Sequence, residues 1–123
     1  MLDGFENLLV PSFDADLREL DEAGIRLDVR QSIAHGATAT ACALDCGLTP
    51  AEQRRFVAIA CDEARGRIHV SVAPGALPLE EVVELVAQAQ SVGASHVQLG
   101  CPAGFAPRSD ADVVAYVEQV LAR

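Results

Sequence analysis

Lysine is absent from all 123 residues, and the nine basic side chains are all arginine. A guanidinium stays charged and is a poor nucleophile, so a Schiff base on a lysine amine is impossible within this chain. Tryptophan is missing too, and Tyr116 is the single tyrosine. So few rings argue against stacking platforms for bases or sugars and point to packing by small aliphatics. Positive charge is scarce: eighteen acidic residues against nine arginines leave a formal charge of −9, which argues against nucleic acid or anionic membrane as a partner. No apolar run is long enough for a membrane span, and Asp3 and Glu6 interrupt the start where a signal peptide would need an apolar stretch. Cys42, Cys46, Cys61 and Cys101 lack the paired spacing and histidine cluster of a zinc site. Reduced, mostly buried thiols in a cytoplasmic protein are the expectation.

What the chain does have is aliphatic repetition. Half of it is hydrophobic, largely Ala, Val and Leu, and its length suits one domain spanning residues 1–123. Gly36, Gly66 and Gly93 each close a helical pattern and precede an apolar strand, a spacing of about thirty residues that matches one strand–helix unit. The strands read as "NLLVPS", "TATACAL", "RIHVSVAP" and "HVQLGCP". Helices follow from about Leu20 to His35, from Thr49 to Ala64, from Leu79 to Val92, and from Ser109 onward to Arg123. Thr49-Pro50-Ala51-Glu52 and Ser109-Asp110-Ala111-Asp112 are capping patterns. Strict alternation predicts α/β architecture with a parallel sheet and right-handed crossovers. In the second strand, Ala39, Ala41 and Ala43 suggest a face on which a helix packs closely. Thr40 and Cys42, with Val70 and Val97 or their neighbours, are then expected on the opposite, inward face.

Three stretches carry a family resemblance. "LLVPSFDADLRELDEAGI", "GLTPAEQRRFVAIACDEARGRIHVSVAPG" and "VGASHVQLGCPAGFAPRSDADVVAYVEQV" resemble, in order, successive units of the dihydrodipicolinate synthase/N-acetylneuraminate lyase family. The resemblance implies a TIM (β/α)8 barrel, of which four β/α units form the N-terminal half. It also implies pyruvate-dependent carbon–carbon lyase chemistry, through a lysine on the sixth strand and a tyrosine on the fifth. Both are expected beyond Arg123. The family's Gly-Thr-Thr-Gly-Glu turn after the second strand is replaced here by the shorter Leu44-Asp45-Cys46-Gly47, whose acid would repel a substrate carboxylate. Ala103 and Gly104 stand where the family has its tyrosine pair.

Ligands of parallel α/β folds sit at strand C-termini. On that rim fall Ser12, Asp14, Asp16, Asp45, Cys46, Pro74, Gly75, Cys101 and Arg108. Asp45 and Cys46 are the candidate acid/base and nucleophile, with no histidine beside them to activate the thiol; their plainer reading is a polar turn next to a half-buried thiol. Ser12, Cys101 and Arg108 are the candidate substrate contacts. Asp14 and Asp16 could attract a divalent cation but read as a solvated acidic loop, and "APGALP" is no phosphate loop, so neither metal nor cofactor is expected. His35, His69 and His96 belong to the opposite end and read as structural or surface residues.

Half a barrel leaves open edges. The chain is therefore expected to belong to a longer protein, to pair with a second copy as a homo-oligomer or with a complementary C-terminal half, or to flatten into a doubly wound sheet. A small keto acid is the substrate the resemblance implies. The rival to a divergent aldolase half is a non-catalytic binding or assembly module on the same scaffold. A receiver-like domain fits the length but lacks its lysine.

Overall fold

The computed structural model describes residues 3–101 and 104–122. Four strands, β1 (Glu6–Leu9), β2 (Ala39–Ala43), β3 (His69–Ala73) and β4 (His96–Val97), alternate with α1 (Glu22–Ala34), α2 (Pro50–Ala64), α3 (Leu79–Ser91) and α4 (Asp110–Leu121). All neighbouring strands pair in parallel, in the order β1-β2-β3-β4. Right-handed crossovers that always step the same way put every helix on one side, which is the construction of a barrel wall. A doubly wound sheet would need the strand order to reverse, and it does not.

Local chemistry sets the boundaries. β1 stops at Leu9, earlier than Ser12, because Pro11 offers no N–H to a ladder. Leu20 is drawn into an antiparallel bridge with Phe13, so α1 begins at Glu22 with Asp21 as its cap, Oδ1 accepting from Gly24 N at 3.0 Å. Thr49 and Ser109 each close a capping box, on Glu52 and Asp112, as their sequences predict. β4 is only His96–Val97, much shorter than expected, since among the described residues no strand lies beyond it to continue the ladder. Pro102, in the expected fourth strand, and Arg123, at the expected end of the last helix, lie outside the described residues.

The two sheet faces are the reverse of the sequence expectation. Leu9, Cys42, Val72 and Val97 are in register, as are Asn7, Thr40 and Val70. Leu9, Cys42, Val70 and Val72 join one core with Ile25 and Val29 of α1, Phe56, Ile59, Ala60 and Cys61 of α2, and Leu85 and Ala89 of α3. Val97 packs against it. Thr40 and Cys42 therefore face the helices, while Ala39, Ala41 and Ala43 line the opposite, concave face. Phe56 alone fills volume that three alanines could not, so the bulky parity of each strand turns toward the helices. A second cluster, Val82, Tyr116 and Val120, holds α4 onto α3.

Across the top of α1 and α2 runs an ion-pair network. Arg26 reaches Asp62 at 2.8 Å, Glu22 at 2.9 Å and Glu63 at 3.3 Å, and Glu63 also meets Arg30 at 3.2 Å and Arg67 at 3.0 Å. Arg26 holds the Asp62 carboxyl below its usual range, and Arg67 foremost does the same to Glu63. The N-terminal amide and hydroxyl of Thr49 lower Glu52 likewise. Acids depressed in the fold contribute stability above their unfolded pKa and lose it as pH falls through the folded one. The urea midpoint should therefore be flat between neutrality and about pH 5 and drop below about pH 4. Added salt should shrink that drop, since these pairs are largely exposed. An acid-insensitive midpoint would contradict the role given to the network.

Candidate active-site rim

The turn after β2 is built from buried polar anchoring. Leu44 N donates to Ala73 O at 3.1 Å, and the buried Gln53 side chain donates Nε2 to Leu44 O at 3.0 Å. Leu48 is buried below, and Gly47 supplies the positive φ of 76° that lets five residues reach the Thr49 cap. Asp45 and Cys46 are held out at the C-terminal rim, both exposed. Cys46 is more exposed than its sequence context suggests, because the turn is too short to fold it inward.

Asp45 lies directly on the next loop. A Cβ added to Gly75, whose φ is 67°, would come within 2.5 Å of Asp45 Cβ and 2.8 Å of its Oδ2. Gly100 follows at the third position, where an added Cβ would sit 3.7 Å from Gly75 O. Three successive strand ends are thus brought close by two glycines, with one carboxylate over them.

The other rim candidates are dispersed. Ser12 Oγ donates to Asp28 Oδ2 of α1 at 3.4 Å, on the helix side of β1. Asp14 Oδ1 accepts from Arg18 N at 2.8 Å and Glu19 N at 3.4 Å, which ties up this carboxylate in its own loop. Asp16 is exposed, and among the described residues no group of three His, Cys, Asp or Glu is gathered as a metal site. Pro74 is fully buried. Arg108 lines a cavity of about 760 Å³ with Phe105, Tyr116, Pro78 and Asp112, between α3 and α4. Phe105 and Tyr116 form its aromatic wall at a centroid distance of 5.3 Å. Burial raises the Tyr116 hydroxyl above its ordinary pKa, and nearby Cys101 adds to the effect. Arg108 lines the cavity with Tyr116, and Cys101 lies near enough to act on the Tyr116 hydroxyl. Ala103 lies outside the described residues.

All four cysteines are free. Burial pushes the Cys61 thiol up to about 11 and Cys42 higher still, with Cys61 beside it, so neither is a nucleophile. The histidines do sit at the strand starts, with His69 opening β3 and His96 opening β4, and His35 caps α1.

Sequence reasoning passed over a polar set on the concave face. Glu6 of β1 lies across the alanines of β2, its Oε1 accepting from Ser71 Oγ of β3 and its Oε2 from Gln98 Nε2. This explains why Ala39 and Ala41 are buried, at 1% exposure each, on a face that no helix among the described residues covers. Polarity alone could not single them out, because Asn7 and His69 are polar on the same two strands.

The rim and the one-sided helix layer define an α/β half-barrel, four parallel β/α units with loops gathered at the strand C-termini. No family model matches the chain. Two curated 4-hydroxy-tetrahydrodipicolinate synthases are similar to it: that of Methanopyrus kandleri at 30% identity over 100 residues and that of Chloroherpeton thalassium at 34% over 103, each match covering 78% of this chain. The chain spans 33% of either relative's length. A crystal structure of N-acetylneuraminate lyase from Fusobacterium nucleatum complexed with pyruvate superposes on 97% of this chain with a TM-score of 0.83, at 22% identity and over 41% of the lyase. The chain belongs to the dihydrodipicolinate synthase/N-acetylneuraminate lyase family.

Gly75→Ala should destabilise the fold by about 1–2 kcal/mol through its left-handed φ, plus the cost of displacing Asp45. In an Asp45→Gly background the loss should be smaller by about 0.5 kcal/mol or more, measured as a double-mutant cycle in urea. Equal losses in both backgrounds would show that Asp45 does not rest on Gly75.

Proposed function

We propose that the chain is a divergent N-terminal half-barrel of a pyruvate-dependent aldolase or lyase, inactive until a complementary half supplies the amine. The observation that carries this reading is the absence of lysine in a half-barrel that matches 41% of a lyase solved with pyruvate. The rim of this half holds and orients a small keto acid. Arg108, beside Tyr116 in the cavity, offers a cation to the keto-acid carboxylate, and Cys101 contributes near it. Ser12 contributes from the loop after β1, and Asp45 and Cys46 border the mouth, where the carboxylate disfavours a second anion. The reacting amine comes from outside this chain, as no side chain here can form the imine. Four free thiols suit the reducing cytosol.

The test is trapping. An amine condenses with the pyruvate carbonyl, releasing water, and borohydride then delivers hydride to the imine carbon to leave a stable secondary amine. Mass spectrometry after pyruvate and borohydride should show no adduct on a side chain of this polypeptide. It should show an adduct on the complementary half within the assembled protein. No adduct in any assembly would overturn the lyase reading in favour of a binding or assembly module.

A further inference from the structure

We infer that the concave face, through Glu6, selects a complementary β/α half that brings a cationic side chain into the barrel interior, and rejects a second copy of this chain. The inference rests on the half-barrel reading and deepens it by naming the partner's chemistry.

A closed (β/α)8 barrel fills its interior with layers of four side chains contributed by alternate strands. Here Glu6 of β1 and Ser71 of β3, joined by their hydrogen bond, are two such neighbours on alternate strands. If a second copy closed the barrel, the order would be β1 to β4 followed by the same four again. One layer would then hold two Glu6 carboxylates and two Ser71 hydroxyls. Closure would strip water from both carboxylates and set like charges facing each other, each of which is unfavourable in a low-dielectric interior.

Among the described residues no arginine falls on a strand to offset these charges. The histidines at the starts of β3 and β4 turn their Nδ1 atoms to Ser95 Oγ, at 3.3 Å for His69 and 2.7 Å for His96. Gln98 and Ser71 satisfy the Glu6 oxygens by hydrogen bonding but bring no charge. A cation from the facing half would complete the layer as a charge-assisted pair. The superposition leaves room for such a half, since 41% of the lyase is matched and its remainder must close the wall. Leu8, 59% exposed beside Glu6, gives that half an apolar neighbour to cover.

Light scattering across a concentration series provides the test, with the chain's own Glu6→Arg variant as the cationic probe. The wild type alone and the variant alone should stay monomeric. Their equimolar mixture should form a one-to-one complex with a dissociation constant at least about tenfold below that of either self-complex, a difference of about 1.4 kcal/mol. Replacing the wild type in the mixture by Glu6→Gln, which keeps the shape and removes the charge, should abolish the gain. Circular dichroism checks each variant, and Glu6→Lys replaces Glu6→Arg if the latter fails to fold. A wild-type dimer as tight as the mixture overturns the inference, and so does a mixture that remains monomeric. Borohydride trapping reads amine chemistry and scattering reads association, so the two proposals fail separately.

Discussion

A parallel sheet carries hydrogen-bonding groups along both edges and side chains on both faces, and each must be covered or solvated. In this chain the helices cover a single face. Phe56, Ile25 and Val29 press onto Cys42, Val70 and Val72, and this contact holds the four strands in one curved wall. The rest follows from that one-sidedness. Among the described residues the outer edges of β1 and β4 lack strand partners, the concave face is crossed by a carboxylate in place of a packed layer, and the loops converge at one rim.

The same asymmetry explains which features were legible in the sequence. Period, caps and glycine stops are local, so the four units, their order and both capping boxes could be read directly from residues such as Thr49, Glu52 and Gly66. The assignment of faces could not. In β2 both parities are small, Ala39, Ala41 and Ala43 against Thr40 and Cys42, so neither set announces the core. The decision is made across strands, where Val70 and Val72 are in register with Thr40 and Cys42. Glu6 was hidden for a related reason: its partners are 65 and 92 residues away, on strands whose register the sequence does not reveal.

The candidate site divides similarly. Position on the rim follows from strand direction, and Asp45, Cys46, Cys101 and Arg108 are all found outside the strand ends. Their grouping depends on side-chain commitments that only three-dimensional structure exposes. Ser12 turns to Asp28, and Asp14 is spent on its own loop. Gln53, buried and bonded to Leu44 O, sets the turn that carries Asp45, yet it reads in sequence as one more polar residue of a capped helix. The family likeness is one of fold and sequence, and the residues present offer shape and charge but no lysine amine.

Amide hydrogen exchange on the isolated chain, at concentrations where scattering shows a monomer, tests the one-sided wall most directly. The amides of β2 and β3 should be protected close to the global unfolding limit, while those β1 and β4 amides that point away from the sheet should exchange with little protection. Uniform protection of all four strands in the monomer would mean that the edges are already paired, and would contradict the account.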